Sequence, residues 1–207
     1  MDNHIFVENL INLDKNLGDK DLEKMAKENF VPIITKPVAS LLNFICKIIK
    51  PLNVLEIGTA IGYSGSLILK ACERTHLLTI DIDLEKYKIA EEVFKKKGLT
   101  NRVRQVCNDA GDYILNLDEK FDLIFLDGPK TQYLSYLPTL LDLLNNGGIL
   151  FADNVFFHGI VSGEVIDNER HATAKKINEF LNYLYALNGF TTTVVETGDG
   201  VSITVKD

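Results

Sequence analysis

Two apolar runs of this chain end in oxygen-bearing side chains, and an amine follows one of them. Phe121-Asp122-Leu123-Ile124-Phe125-Leu126 finishes on Asp127, and Ile149-Leu150-Phe151-Ala152 finishes on Asp153-Asn154. Short apolar runs of this kind read as buried strands. Placed side by side and parallel, they bring Asp127, Asp153 and Asn154 together. Three oxygen donors, two of them charged, suit a hard divalent cation such as Mg²⁺. Asp153-Asn154 taken alone serves equally to cap a helix or turn a loop. Lys130 follows in Asp127-Gly128-Pro129-Lys130, where it can act beside the cation as a base or as an electrostatic aid. A nearby divalent ion depresses an amine's pKa, which suits a base. The alternative is an exposed loop lysine. His158, after Phe156-Phe157, and His171, beside Arg170, rank below it as bases.

A second constellation lies upstream. The run Val54-Leu55 leads into Glu56-Ile57-Gly58-Thr59-Ala60-Ile61-Gly62. Gly58 permits a tight turn and Gly62 a close backbone approach to a ligand. The spacing is G-x-x-x-G, not the G-x-G-x-x-G of dinucleotide binders, and the lysine of a phosphate-binding loop is missing. Glu56 would repel a phosphate and suits a cationic, phosphate-free ligand, of which S-adenosyl-L-methionine is one. Asp81 near the end of the next apolar run can accept hydrogen bonds from ribose hydroxyls. Asp109-Ala110, after the third, stands where an adenine ring would lie. Each feature alone is common, but three after successive strands reinforce one another.

These residues need a scaffold of alternating strands and helices. Strands are expected at 53–57, 77–82, 103–107, 123–126 and 148–152, the last after the turn Gly147-Gly148. Helices are expected at 64–72, 84–97, near Tyr113, at 137–144 with Pro138 tolerated in the first turn, and at 172–187. Thr191–Glu196 and Val201–Val205 read as a closing hairpin turned by Gly198-Asp199-Gly200. The implied fold is α/β: a Rossmann-like, doubly wound, mostly parallel seven-stranded sheet with an antiparallel C-terminal hairpin strand. Residues 1–50 form a helical N-terminal extension, interrupted at Pro32 and Pro37, and residues 51–207 the cofactor-binding core, within one domain. The extension is expected to cover the site or to mediate a homodimer.

Bulk properties narrow the class. With 207 residues, 46% hydrophobic and 25% charged, the chain has globular composition. A net charge of −7 gives no global attraction to nucleic acid, so RNA binding would need a local basic patch. Arg102 with Arg104, and Arg170 with His171, Lys175 and Lys176, are two such patches. Cys46, Cys72 and Cys107 lack metal spacing and read as reduced, mostly buried thiols of a cytoplasmic protein. Met1-Asp2-Asn3-His4 does not begin a secretory leader, and no stretch is apolar enough to span a membrane. A dehydrogenase is disfavoured by the glycine spacing. A non-catalytic nucleoside-binding module would need the glycine loop but not Asp127, Asp153 and Asn154.

Taken together, the motifs Leu55 to Ser64, Thr79-Ile80-Asp81-Ile82-Asp83, Phe125 to Lys130, Ala152-Asp153-Asn154-Val155 and Gly198-Asp199-Gly200-Val201 resemble those of the cation-dependent class I O-methyltransferases. That group contains the catechol and caffeoyl-CoA O-methyltransferases. The resemblance implies that Ile34, Glu56, Gly58, Thr59, Ser64, Asp81, Asp109, Ala110 and Asp127 contact S-adenosyl-L-methionine. It implies that Asp127, Asp153 and Asn154 hold the metal, with Lys130 and Asp127 as the catalytic pair. Val31-Pro32-Ile33, Lys130-Thr131-Gln132-Tyr133 and Asp153 to Val161 are most similar to bacterial tRNA 5-hydroxyuridine methyltransferases. Asp81 stands where many relatives carry Glu. The acidic substrate ligand of catechol enzymes is missing, since Val201 and Ser202 follow Asp199-Gly200. The implied acceptor is therefore tRNA, or else a small phenol, with no membrane partner.

Overall fold

The computed structural model describes residues 3–207, so the reading of Met1 and Asp2 lies outside the described residues. Seven strands form one sheet: β1 (Asn53–Ile57), β2 (His76–Asp81), β3 (Val103–Cys107), β4 (Phe121–Leu126), β5 (Leu144–Asp153), β6 (Phe190–Val195) and β7 (Val201–Lys206). Their spatial order is β3-β2-β1-β4-β5-β7-β6, with β3 through β5 parallel. The helices are α1 (Asn3–Ile11), α2 (Lys20–Glu28), α3 (Lys36–Ile49), α4 (Tyr63–Ala71), α5 (Leu84–Lys96), α6 (Ala110–Ile114), α7 (Tyr133–Leu143) and α8 (His171–Ala186).

The central strands are apolar on both faces because both are covered. Alternation divides them between two cores. Val54 of β1 and Leu123 and Phe125 of β4 pack with α3, α4 and α5. Leu55, Ile57, Ile124 and Leu126 face α6, α7 and α8. The first core also takes Leu22 and Ala26 of α2 and Val38, Leu42 and Cys46 of α3, so the N-terminal helices share it. Side-chain caps start the helices at Asp19, Asp83 and Asp109, each satisfying amides that the first turn leaves free.

Two expectations are corrected. Helix α7 begins at Tyr133, after a 3-10 turn at Lys130–Gln132, so Pro138 lies inside it and not in its first turn. An interior proline costs about 3 kcal/mol. Tyr133, Tyr136, Leu137, Leu140 and Leu141 are all buried on that helix, and each such side chain contributes roughly 1.5–3 kcal/mol, so burial wins. Strand β5 extends back through Gly147-Gly148, with a register irregularity opposite Phe121 and Leu123, where a turn was expected. The hairpin adds an antiparallel edge to the sheet, as expected. Its second strand, β7, inserts between β5 and β6 and is antiparallel to both. The more buried strand takes the interior place: Val201, Ser202 and Thr204 are buried, while β6 is only half-buried.

The cysteines are free, and Cys107 is exposed, not buried as expected. Among the described residues no helix is long and apolar enough to cross a membrane.

Candidate functional site

The carboxyl ends of β1, β2, β4 and β5 open onto a cavity of about 550 Å³. Ligands of parallel α/β sheets bind at such ends. Gly58, Ala60, Asp81, Asp109, Ala110, Asp127, Lys130, Asp153 and Asn154 all line it, and Ile34 closes one wall. A larger cavity of about 680 Å³, between α4 and the segment 14–19, contains none of the predicted site residues.

The glycine loop is built by close contact. Gly58 has φ +106, and a Cβ there would collide with the carbonyl oxygen of Asp127. Only glycine lets β1 end against β4 in this way. The Asp127 amide in turn donates to the Ile57 carbonyl at 2.9 Å. Ala60 follows in the left-handed region, held by donating its amide to Asp81 Oδ2 at 2.8 Å. Asp81 Oδ1 accepts from the Asp83 amide at 3.0 Å. Asp81 therefore shapes the loop while facing the cavity.

Glu56, Thr59 and Ser64 do not line the cavity; they stand behind the loop. Glu56 is fully buried and accepts from Ser64 Oγ and Thr79 Oγ1, both at 2.5 Å. Thr59 and Thr79 hydroxyls lie 2.6 Å apart. Burial, aided by Asp127 and Asp81, pushes the Glu56 carboxyl up to about 7 against the two hydroxyl bonds. Positive charge placed in the cavity would favour its ionised form.

At the other end, parallel pairing of β4 with β5 sets Leu126 beside Ala152, which brings Asp127, Asp153 and Asn154 together as predicted. Lys130 Nζ donates to Asp127 Oδ1 at 2.9 Å and to Tyr133 Oη at 2.7 Å. Asp153 is 2% exposed, and burial beside Asp127 pushes its carboxyl up to about 7. Its Oδ1 accepts from the Asn154 amide at 2.8 Å. Among the described residues no group of three or more His, Cys, Asp or Glu forms a metal cluster. The donor set here is instead two carboxylates and a carboxamide. A buried carboxylate and a half-buried one, with one lysine beside them, fit a hard cation in both charge and donor type.

Two residues of the site escaped the sequence reading. Asp199 lines the cavity because β7 lies inside the sheet. Its Oδ1 accepts from the His158 amide at 2.7 Å, and its buried Oδ2 has no hydrogen-bond partner. The resemblance marked the Gly-Asp-Gly turn but gave it no role. Tyr133, three residues beyond Lys130, is fully buried beneath it. His158 is largely exposed beside Asp199, and His171 opens α8 on the surface. Arg102 is spent on the carbonyls of Leu69, Cys72 and Thr75, and Arg104 pairs with Glu119. Both lie where β3 begins, away from the strand ends that carry the cavity, so that basic patch is withdrawn. Arg170, His171, Lys175 and Lys176 are exposed, with Arg170 paired to Asp167 at 3.6 Å and Lys175 to Glu179 at 3.9 Å, and α8 packs on the turn at Lys130–Gln132.

The family described as O-methyltransferase matches residues 11–207. The chain is 30% identical over 176 residues to a caffeoyl-CoA O-methyltransferase of Stellaria longipes, covering 78% of this chain and 73% of that one. A Staphylococcus aureus structure, provisionally described as a caffeoyl-CoA O-methyltransferase, superposes with a TM-score of 0.89 at 29% identity, covering 97% and 98% of the two chains. The fold is also that of a Bacillus cereus O-methyltransferase in complex with SAH, with a TM-score of 0.82 at 23% identity and 97% of both chains covered.

Proposed function

Because the chain belongs to the O-methyltransferase family and is an S-adenosylmethionine-dependent enzyme of its caffeoyl-CoA O-methyltransferase-like branch, we propose that it methylates an acceptor with two neighbouring oxygens beside a divalent cation. The observation that carries this reading is the convergence of Asp127, Asp153 and Asn154 with Lys130 in one cavity. Gly58, Asp81, Asp109 and Ala110 would hold the cofactor, with Ile34 on the side of its methionine part and Asp127 between cofactor and acceptor. Glu56, Thr59 and Ser64 set the loop's shape from behind. S-adenosyl-L-methionine supplies the methyl group on a sulfonium, which an acidic pocket favours. Asp127, Asp153 and Asn154 would hold the cation, Mg²⁺ by donor type, whose charge would make a neighbouring acceptor hydroxyl more acidic. Lys130 would take the hydroxyl proton, and the fixed strand ends would orient the acceptor.

The acceptor we propose is 5-hydroxyuridine at the tRNA wobble position, methylated to 5-methoxyuridine. Its 5-hydroxyl and 4-carbonyl form the required oxygen pair. Arg170, His171, Lys175 and Lys176 cluster exposed at the start of α8, with Arg170 and Lys175 each also paired to one carboxylate, and this reading takes its phosphate contacts from them. A small phenolic acceptor is the second reading, favoured by the caffeoyl-CoA O-methyltransferase relatives. We also propose a homodimer, because Phe6 and Leu10 of α1 and Phe44 and Ile48 of α3 are half or more exposed; a monomer in sedimentation would withdraw it.

Metal removal and Lys130→Ala test the chemistry. EDTA should abolish methyl transfer and Mg²⁺ restore it. Lys130→Ala should lower kcat by about 10²–10⁴-fold with S-adenosylmethionine affinity, by calorimetry, unchanged. Full turnover with EDTA removes the cation from the reading, and full turnover in the variant removes Lys130.

A further inference from the structure

Lys130 does not hold its own position. Tyr133 lies directly beneath it, with no exposed surface. Its hydroxyl donates to the Leu126 carbonyl at 2.9 Å and stands 3.2 Å from that of Asp153. It thus sits on the last residues of both metal-site strands. A phenol has one proton. With that proton committed to a strand-end carbonyl, the oxygen offers only lone pairs to the Lys130 amine, 2.7 Å away. Asp127 Oδ1 takes a second amine hydrogen at 2.9 Å. The amine nitrogen has three directions besides its own side chain, and two are therefore filled by acceptors.

We propose that Tyr133 is a positioning residue for the methyl transfer: anchored on the ends of β4 and β5, its hydroxyl turns Lys130 so that the amine's one unoccupied direction faces the acceptor oxygen. The inference rests on Lys130 being the base of the proposed reaction. In the unprotonated amine, the two N–H bonds are those held by Tyr133 and Asp127, and the lone pair is left for the acceptor. The acceptor O–H bond then breaks, its proton forms the third N–H bond, and the oxygen keeps the electron pair. Without the phenol oxygen, the amine can rotate and present a hydrogen instead of its lone pair.

A double-mutant cycle tests this. Wild type, Tyr133→Phe, Lys130→Ala and the double variant are compared on tRNA carrying 5-hydroxyuridine and on a catechol, with cofactor affinity measured by calorimetry. Tyr133→Phe keeps the ring and its packing; Tyr133→Met fills the space without a hydroxyl and gives the same reading should the first not fold. The expected loss in kcat is about ten- to a hundredfold, with acceptor KM and cofactor affinity held within about twofold. The double variant is expected to be no slower than Lys130→Ala, because Tyr133 acts only through that amine. A purely structural tyrosine would slow the Lys130→Ala protein further, and that result overturns the proposal, as does wild-type kcat in Tyr133→Phe. Full kcat in Lys130→Ala would instead remove the base reading itself, whereas an impaired Lys130→Ala beside an unimpaired Tyr133→Phe removes only the positioning role.

Discussion

Glu56 shows how a residue can serve a site it does not touch. Its carboxyl is sealed behind the glycine loop, titrates near 7 because of burial, and is held by two hydroxyls. In the unfolded chain it reverts to an ordinary carboxylate near 4.3. Between those values the fold binds the extra proton, so Glu56's contribution to stability is full below the unfolded value and is lost as pH rises through about 7. The ligand-free protein should therefore melt at a lower temperature at pH 8 than at pH 6, and Glu56→Gln should flatten that fall. An equal fall in the variant would place the effect elsewhere. The sequence made Glu56 a direct partner of a cationic ligand; it could not show that Ser64 and Thr79 enclose it, because those contacts come from neighbouring elements. Asp127, Asp153 and Asn154 were legible because a strand end fixes where a side chain must go. Tyr133 was not, since its value lies in what its hydroxyl reaches across the sheet.

The elements that position the site are the parallel strands, and their apolar runs gave them away. One of their tight junctions sets Gly58 against the Asp127 carbonyl. Gly58→Ala adds a methyl group at positive φ in a place with no room, so a loss on the order of 3 kcal/mol is expected from strain and overpacking combined. Urea unfolding reads it directly, and a variant as stable as the parent would show that β1 and β4 tolerate separation. Pro138 was misplaced because a local rule puts a proline at a helix start, and burial of the apolar face of α7 overrode it. The hairpin stands at the sheet edge as expected, but the order of its two strands was not legible. That order matters to the cavity, since β7, next to β5, carries Asp199 to it.

For the whole molecule, a net charge of −7 argues against broad nucleic-acid binding, and the proposed RNA contact is a local one at the start of α8. The fold and cofactor class follow from features that recur along the whole chain. The acceptor depends on surface around one cavity, where periodicity carries no signal. The central claim is metal-assisted methylation of a wobble-base oxygen, and mass spectrometry of tRNA nucleosides from cells lacking this protein tests it most directly. The account predicts that 5-methoxyuridine disappears and 5-hydroxyuridine accumulates in its place. It also predicts that the wild-type protein with Mg²⁺ converts that tRNA in vitro, while the Lys130→Ala variant does not. Undiminished 5-methoxyuridine in those cells, with methylation of a small phenol by the purified protein, would contradict it.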